Sequence, residues 1–285
     1  MLTVTAPAKL NLTLEVLSKR PDGYHEIRSV IQAINLCDSL TFRLGHHLSF
    51  RADAPDWTAE ESLVSRAAHL LKETTGCPQG ATIELAKRIP LLSGLGGDSS
   101  DAAATLQGLN TLWELGLPPE KLLKLAAQLG ADVPFFLYRG TALAEGRGER
   151  VTPLPPLPRR WVVLVFPAVS PPPGKTKQMY ARLKPSHYTD GSITERLVKV
   201  LTENRAFTAS LLFNTFENIA FAEPSELKKY RDHLRKMGAD NVHLAGSGPA
   251  LFTLYKDKAP AEELYALCKQ QGMEAYLAET LGNTP

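Results

Sequence analysis

Residues 90–109 read PLLSGLGGDSSDAAATLQGL, a run of glycines and hydroxyls that leads straight into an alanine-rich segment of good helical propensity. Gly94, Gly96 and Gly97 allow backbone conformations closed to other residues and let a ligand approach the main chain. Ser99, Ser100 and Asp101 fall where a helix would start, so their oxygens and the unpaired N–H groups meet the positive end of its dipole. Such an end holds anions, phosphate above all. Taken alone the string favours a plain glycine turn capped by Ser99 or Ser100, and other residues must decide.

Four further places carry chemistry-bearing residues. LAGSGPALF, with Gly246, Ser247 and Gly248, is either a second anion-binding loop or a tight turn between strands. Asp132, in LGADVPFF, stands just beyond a helix C-terminus, where an aspartate is usually a structural cap. Lys9, amid the apolar alternation of APAKLNL, is either snorkelling at an edge or partly buried, and a buried lysine wants a carboxylate, for which Asp132 is suited. Asn11 shares the strand face of Lys9. Tyr24 and His25 put two flat rings at a hairpin tip, able to stack a base or to pack over the turn; neighbours on a strand face opposite ways, so both reach one ligand only if the chain turns there. GKT at 174–176 is not a P-loop: the glycine required five residues earlier is Val169, and the intervening prolines lack N–H groups.

The elements that must position these residues follow from periodicity. The first forty residues alternate as strands around the hairpin turn Pro21-Asp22-Gly23. TAEESLVSRAAHLLKETTG predicts a helix with a Thr58–Glu61 capping box and an apolar face of Leu63, Ala67, Leu70 and Leu71. ATIELAKRIP is a strand that delivers the chain into the glycine loop, and LPPEKLLKLAAQLG a helix bounded by prolines and Gly130. Proline-dense stretches bracket the buried-strand run WVVLVF and predict a domain boundary near residue 155. Beyond it, helices (SITERLVKVLTENRA, EPSELKKYRDHLRKMG, APAEELYALCKQQG) alternate with strands (NVHLAGS, ALFTLYK, EAYLAET), an α+β layer pattern.

Composition narrows the partners. With 285 residues, 32 basic and 30 acidic, the chain carries +2, which points away from nucleic acid and anionic membranes and leaves a small anionic substrate open. Cys37, Cys77 and Cys268 are far apart and lack metal-ligand spacing, as expected of reduced thiols in a cytoplasmic protein with no bound structural metal. No apolar run is long enough to span a bilayer.

PAKLNL, DGYHEI, PLLSGLGGDSSDAAA, LGADVPFF and LAGSGPALF, in this order across almost the whole chain, resemble the GHMP kinase superfamily, whose signature is the GLGG-x-SS string. PAKLNL with DGYHE narrows the resemblance to the branch that phosphorylates the 2-hydroxyl of 4-diphosphocytidyl-2-C-methyl-D-erythritol in the non-mevalonate isoprenoid pathway. Homoserine- or mevalonate-type kinases, and a non-catalytic nucleotide-binding module, are the alternatives. The resemblance implies an α+β fold of two domains. These are an ATP-binding N-terminal domain, 1–155, of ribosomal-protein-S5-like form, and an α/β-layer C-terminal domain, 156–285, with the active site in the cleft between them. It implies that Lys9 and Asp132 are catalytic, and that ATP is held by Ser62, Leu63, Lys87, Pro90, Gly94, Leu95, Gly96, Gly97, Asp98, Ser99 and Ser100. Asn11, Tyr24, His25, Thr176, Tyr180, Gly246 and Ser247 would take the cytidine-diphosphate alcohol. Mg²⁺ would travel on the ATP phosphates, touching Ser100 or Asp101. The chain departs from the family pattern at Ser62 (asparagine expected), Ser93 (glycine frequent) and Ala245 (serine or threonine common). Monomer and homodimer are both compatible with the sequence.

Overall fold

The computed structural model describes residues 1–55, 57–60, 62–169, 172, 174–222 and 225–283. Along the chain run β1 (Leu2–Asn11), β2 (Thr13–Lys19), β3 (His25–Gly45), β4 (Ser49–Ala52), α1 (Leu63–Thr75), β5 (Gly80–Ala86), α2 (Gly97–Leu112), α3 (Pro119–Leu129) and α4 (Val133–Tyr138). There follow β6 (Thr141–Gly146), β7 (Arg150–Pro153), β8 (Trp161–Phe166), α5 (Lys175–Ala181), α6 (Ser192–Thr202), β9 (Phe213–Asn214) and α7 (Glu217–Ala220). The last elements are α8 (Glu226–Lys236), β10 (His243–Leu244), β11 (Leu251–Tyr255), α9 (Lys258–Gln270) and β12 (Glu274–Glu279). Two compact units result: residues 1–8, 36–91 and 96–138 form one, and residues 9–35, 92–95 and 139–285 the other. The chain therefore passes between units within β1, within β3 and within the glycine loop, and the proline-rich stretch near 155 lies inside the second unit as the lead-in to β8.

In the first unit, β5 pairs antiparallel with residues 39–45 of β3 and parallel with β4. Helices α1, α2, α3 and α4 pack on one another. Gly108 lets α2 lie directly on the sheet, since a Cβ there would fall 2.5 Å from the Phe42 ring. Helix α1 starts with Ser62, whose hydroxyl accepts from Ser65 N at 3.1 Å, and it stops at Gly76 with φ 65°. The predicted cap at Thr58 and Glu61 is thus replaced by Ser62, and Glu61 lies outside the described residues. Helix α3 behaves as predicted, with Pro119 in its first turn and Gly130 at its end.

The second unit holds the hairpin of β2 and β3, closed at residues 20–24, where Arg20 N donates to Tyr24 O at 2.8 Å. Strand β6 continues that sheet beside β3, β7 pairs with β6, and β9 adds parallel to β2. A separate antiparallel sheet runs β10-β11-β8-β12, with β8 central and α9 packed on it. The all-apolar run WVVLVF reflects that central place, because Val162, Val163 and Leu164 are fully buried. Among the described residues, no helix is long and apolar enough to cross a membrane.

Candidate active site

In the second unit the end of β1 is covered on both faces, so Lys9 retains only 5% of its exposure and Asn11 3%. Lys9 Nζ donates to Asn11 Oδ1 at 2.7 Å, Asn11 Nδ2 donates to Ser29 Oγ at 2.8 Å, and the serine hydroxyl donates to Thr13 O. Each polar atom along this chain has its partner, which is what holds a buried ammonium in one rotamer. Gly246 stands over it: a Cβ there would lie 3.4 Å from Lys9 Nζ and 3.5 Å from Asn11 Oδ1.

The first glycine loop enters the same place. A Cβ on Gly94, at φ 90°, would collide with the Ala245 carbonyl oxygen, so the two glycine loops touch backbone to backbone. Leu95 O accepts from Lys9 N at 2.9 Å, and Ser93 O from Ala250 N at 3.2 Å. Asn214 on β9, buried, braces the later loop by donating to Leu244 O and Gly246 O. GKT opens α5 and is no P-loop: Thr176 Oγ1 lies 3.0 Å from Ser247 Oγ, and Lys175 Nζ donates to Leu92 O at 3.0 Å.

Farther along α5, Tyr180 stacks on His25 with centroids 4.9 Å apart and planes at 22°. Phe216 meets Tyr180 edge-on at 4.9 Å, and Tyr188 meets His25 at 6.1 Å. Burial, aided by the Lys19 charge, lowers the His25 pKa and favours the neutral ring. Tyr24 goes elsewhere. It is exposed beneath the Arg147 guanidinium, 4.8 Å from its ring, so the two adjacent rings do not share a face.

In the first unit α2 begins at Gly97, earlier than predicted, with Gly96 at φ 73° as its cap and no side-chain capping bond. Ser99 and Ser100 are therefore inside the first turn, and no serine caps the helix, which leaves its leading N–H groups without a side-chain cap. The Ser100 hydroxyl is buried without a hydrogen-bond partner. A Cβ on Gly97 would fall 3.1 Å from Ile89 Cγ2 and 3.2 Å from Lys87 Nζ, so a side chain there would crowd both. That ammonium is bound to Asp38 at 2.6 Å and Asp101 at 2.9 Å, with Asp98 at 3.8 Å. Asp38 also accepts from the main-chain N–H groups of Arg88 and Ile89. Burial works against the Lys87 charge, and the two carboxylates outweigh it, so its pKa rises. Burial also pushes Asp101 up, to about 8: one ammonium cannot neutralise two buried carboxylates, and Asp38 has the extra donors.

Lys9, Asn11, Gly94, Leu95, Gly246 and Ser247 converge in one unit, as do His25 with Tyr180 and Thr176 with Ser247. Gly96, Gly97, Asp98, Ser99 and Ser100 form the start of α2. Asp132, half-buried, stands between α3 and α4 in a turn closed by Val133 N and Gly130 O. Ser62 uses its hydroxyl to cap α1, Leu63 is the first residue of that helix, and Pro90 follows the Lys87 segment. Ser29, Asn214, Asp38 and Lys175 were not read from the sequence. Their only local signal is polarity inside an apolar run, except for Lys175, which the failed P-loop motif concealed.

Residues 62–140 match the family description "GHMP kinases N terminal domain" and residues 195–272 match "GHMP kinases C terminal". A Dehalococcoides mccartyi protein named 4-diphosphocytidyl-2-C-methyl-D-erythritol kinase is 50% identical over 282 residues, 99% of each chain. A Geobacillus protein of the same name is 38% identical over 93% of this chain and 91% of its own. A crystal structure of 4-(cytidine 5'-diphospho)-2C-methyl-D-erythritol kinase superposes with a TM-score of 0.84 at 34% identity, covering 99% of this chain and all of that one.

Proposed function

This chain belongs to the GHMP kinases, in the 4-diphosphocytidyl-2-C-methyl-D-erythritol kinase family, and is an ATP-dependent phosphotransferase; from that premise we propose that it phosphorylates the 2-hydroxyl of 4-diphosphocytidyl-2-C-methyl-D-erythritol. Identity over the full chain to relatives of that name supports this acceptor over homoserine or mevalonate. The observation that carries the reading is the fully bonded Lys9–Asn11–Ser29 chain ending beneath Gly246, where two glycine loops meet.

The reaction breaks the bond between the γ-phosphorus and the bridging oxygen of ATP and forms one to the acceptor oxygen. ADP leaves, and the hydroxyl proton passes to a carboxylate. We assign that carboxylate to Asp132, and to Lys9 the offsetting of charge on the reacting oxygens, with Asn11 holding both the lysine and the acceptor hydroxyl. Phosphoryl transfer demands positioning and charge stabilisation more than covalent chemistry, so a lysine fixed in one rotamer is adequate equipment. Gly94 to Ser100 cradle the triphosphate through main-chain N–H groups at the start of α2. Ser62 and Lys87 are committed within their own unit, so the adenine contact falls to Leu63, Pro90 and the backbone. His25, stacked on Tyr180 and neutral, offers a flat face and ring nitrogens to a cytosine, while Thr176 and Ser247 offer hydroxyls. Tyr24 contributes from the hairpin tip.

Ser100 and Asp101 suit Mg²⁺, since the Ser100 hydroxyl and Asp101 Oδ1 are hard oxygen ligands buried without a hydrogen-bond partner at the head of α2, while Asp101 Oδ2 is held by Lys87. Bound there, the ion would neutralise charge on the phosphate oxygens. Thiols at Cys37, Cys77 and Cys268, with no disulfide among them, are consistent with the cytoplasm as the place of the reaction.

The test is an acceptor panel: purified protein with Mg-ATP and 4-diphosphocytidyl-2-C-methyl-D-erythritol, homoserine or mevalonate, followed by ADP release and phosphorus NMR. The first acceptor should give a new phosphomonoester. Turnover confined to either of the others would transfer the assignment to a sister kinase.

A further inference from the structure

Lys175 has no part in the mechanism above, yet it stands at the same place. It opens α5 directly after Gly174, and its Nζ donates to a neutral main-chain carbonyl, that of Leu92, at 3.0 Å. Leu92 is itself unusual, a leucine at φ 54° and 62% exposed, where the backbone favours glycine. The next residue of the helix, Thr176, is joined to Ser247 in the later glycine loop. Among the described residues, Lys9 at the end of β1 adds its charge to the surroundings of Lys175, and the Leu92 carbonyl and the Thr176 and Ser247 hydroxyls are polar neighbours. Burial, with the Lys9 charge added, brings the Lys175 pKa down to about 8.

A half-buried ammonium that donates to a carbonyl and is repelled by a second ammonium is in an unfavourable setting until an anion arrives. A phosphate oxygen reaching both lysines would replace an uncharged acceptor with an anionic one and add an ion pair to each ammonium.

We infer that Lys175 is a further phosphate-binding residue of this site, forming with Lys9 a two-ammonium seat for the phosphate chain of a nucleotide. The chain is either the diphosphate of the acceptor or the triphosphate of ATP, which share this chemistry. The inference rests on the kinase reading given above.

Steady-state kinetics of Lys175→Met and Lys175→Arg, at pH 7 and pH 9, test it, together with calorimetric titration of inorganic pyrophosphate. At pH 7 Lys175→Met should raise one KM about tenfold with kcat within about threefold, and the arginine variant should recover most of the loss. The substrate whose KM rises identifies the phosphate chain. At pH 9 the ratio of variant to wild-type KM should shrink, because the wild-type ammonium has then lost its proton. Two KM values within about twofold of wild type at pH 7, or a ratio that does not change with pH, would overturn the inference and leave a structural tether. If the wild-type protein fails to turn over the acceptor, the kinase reading fails by itself. The pyrophosphate titration still decides the lysine, with affinity about tenfold weaker in Lys175→Met expected and equal affinity overturning it.

Discussion

Lys87 and Lys175 are both lysines withdrawn from water beside a glycine loop, and their surroundings drive them in opposite directions. Lys87, in the first unit, is held by two buried carboxylates that raise its pKa, joining β3, the end of β5 and the start of α2. Lys175, in the second, meets a carbonyl and another ammonium, and its pKa falls to about 8. The first pairs its ammonium with carboxylates of the same unit beneath the start of α2. The second is completed by an anion. Burial of a lysine is thus no guide to its role; the charge of its neighbours is.

Four substitutions sharpen that contrast. The largest effect is expected for Asp132→Asn, which should cut kcat by roughly 10²–10⁴-fold, the range for a lost acid–base group, while ATP affinity and thermal stability stay near wild type. Near-normal turnover in that variant would remove Asp132 from the mechanism. Lys87→Met should do the reverse, because it leaves Asp38 and Asp101 facing each other in a dry interior. Urea unfolding should then show a loss of ~3–5 kcal/mol. A loss under ~1 kcal/mol would mean the network is not the pin described here.

His25→Ala should raise the acceptor KM roughly threefold to tenfold, the size of one aromatic contact, with the ATP KM unchanged. An unaltered acceptor KM would end the stacking assignment. The smallest effect concerns pH. Asp101 titrates near 8 when folded, against 3.8 as the ordinary value, so between about pH 4 and pH 8 the unfolded chain gives up a proton that the folded protein keeps. Wild-type stability should therefore fall across that window relative to Asp101→Asn, and the two curves should run parallel below it. Parallel curves throughout would show that Asp101 is ionised in the fold.

Much of the site was legible because it is local. Lys9 and Asn11 are two residues apart on one strand, so their shared face follows from the strand period, and the 2.7 Å bond between them is its outcome. The glycines at 94, 96 and 97 announced a close backbone approach, although not that Ala245 would be the group approached. Boundaries set by capping were less legible: α2 starts at Gly97 on a bare glycine cap, and α1 on Ser62, because several adjacent polar residues could serve and packing chooses among them. Helices α4 and α5 and the two-residue strand β9 escaped notice, being too short for a periodic pattern. The proline-rich stretch at 155 lies within the second unit, which also takes residues 9–35 and 92–95 from earlier in the chain, a mixing that no local composition signals.

By itself the sequence determined the chemistry on offer: glycines able to expose main-chain N–H groups, one lysine and one amide on a common face, a hairpin carrying a flat ring, and an order of motifs shared with small-molecule kinases. Those properties depend on residue type and short spacing. Only the tertiary structure decided which lysine is neutralised and which awaits an anion, because Asp38 and Lys87 are 49 residues apart and Lys175 and Leu92 are 83 apart. No local pattern encodes such contacts, and the charge state of a buried group depends on whatever the fold brings against it.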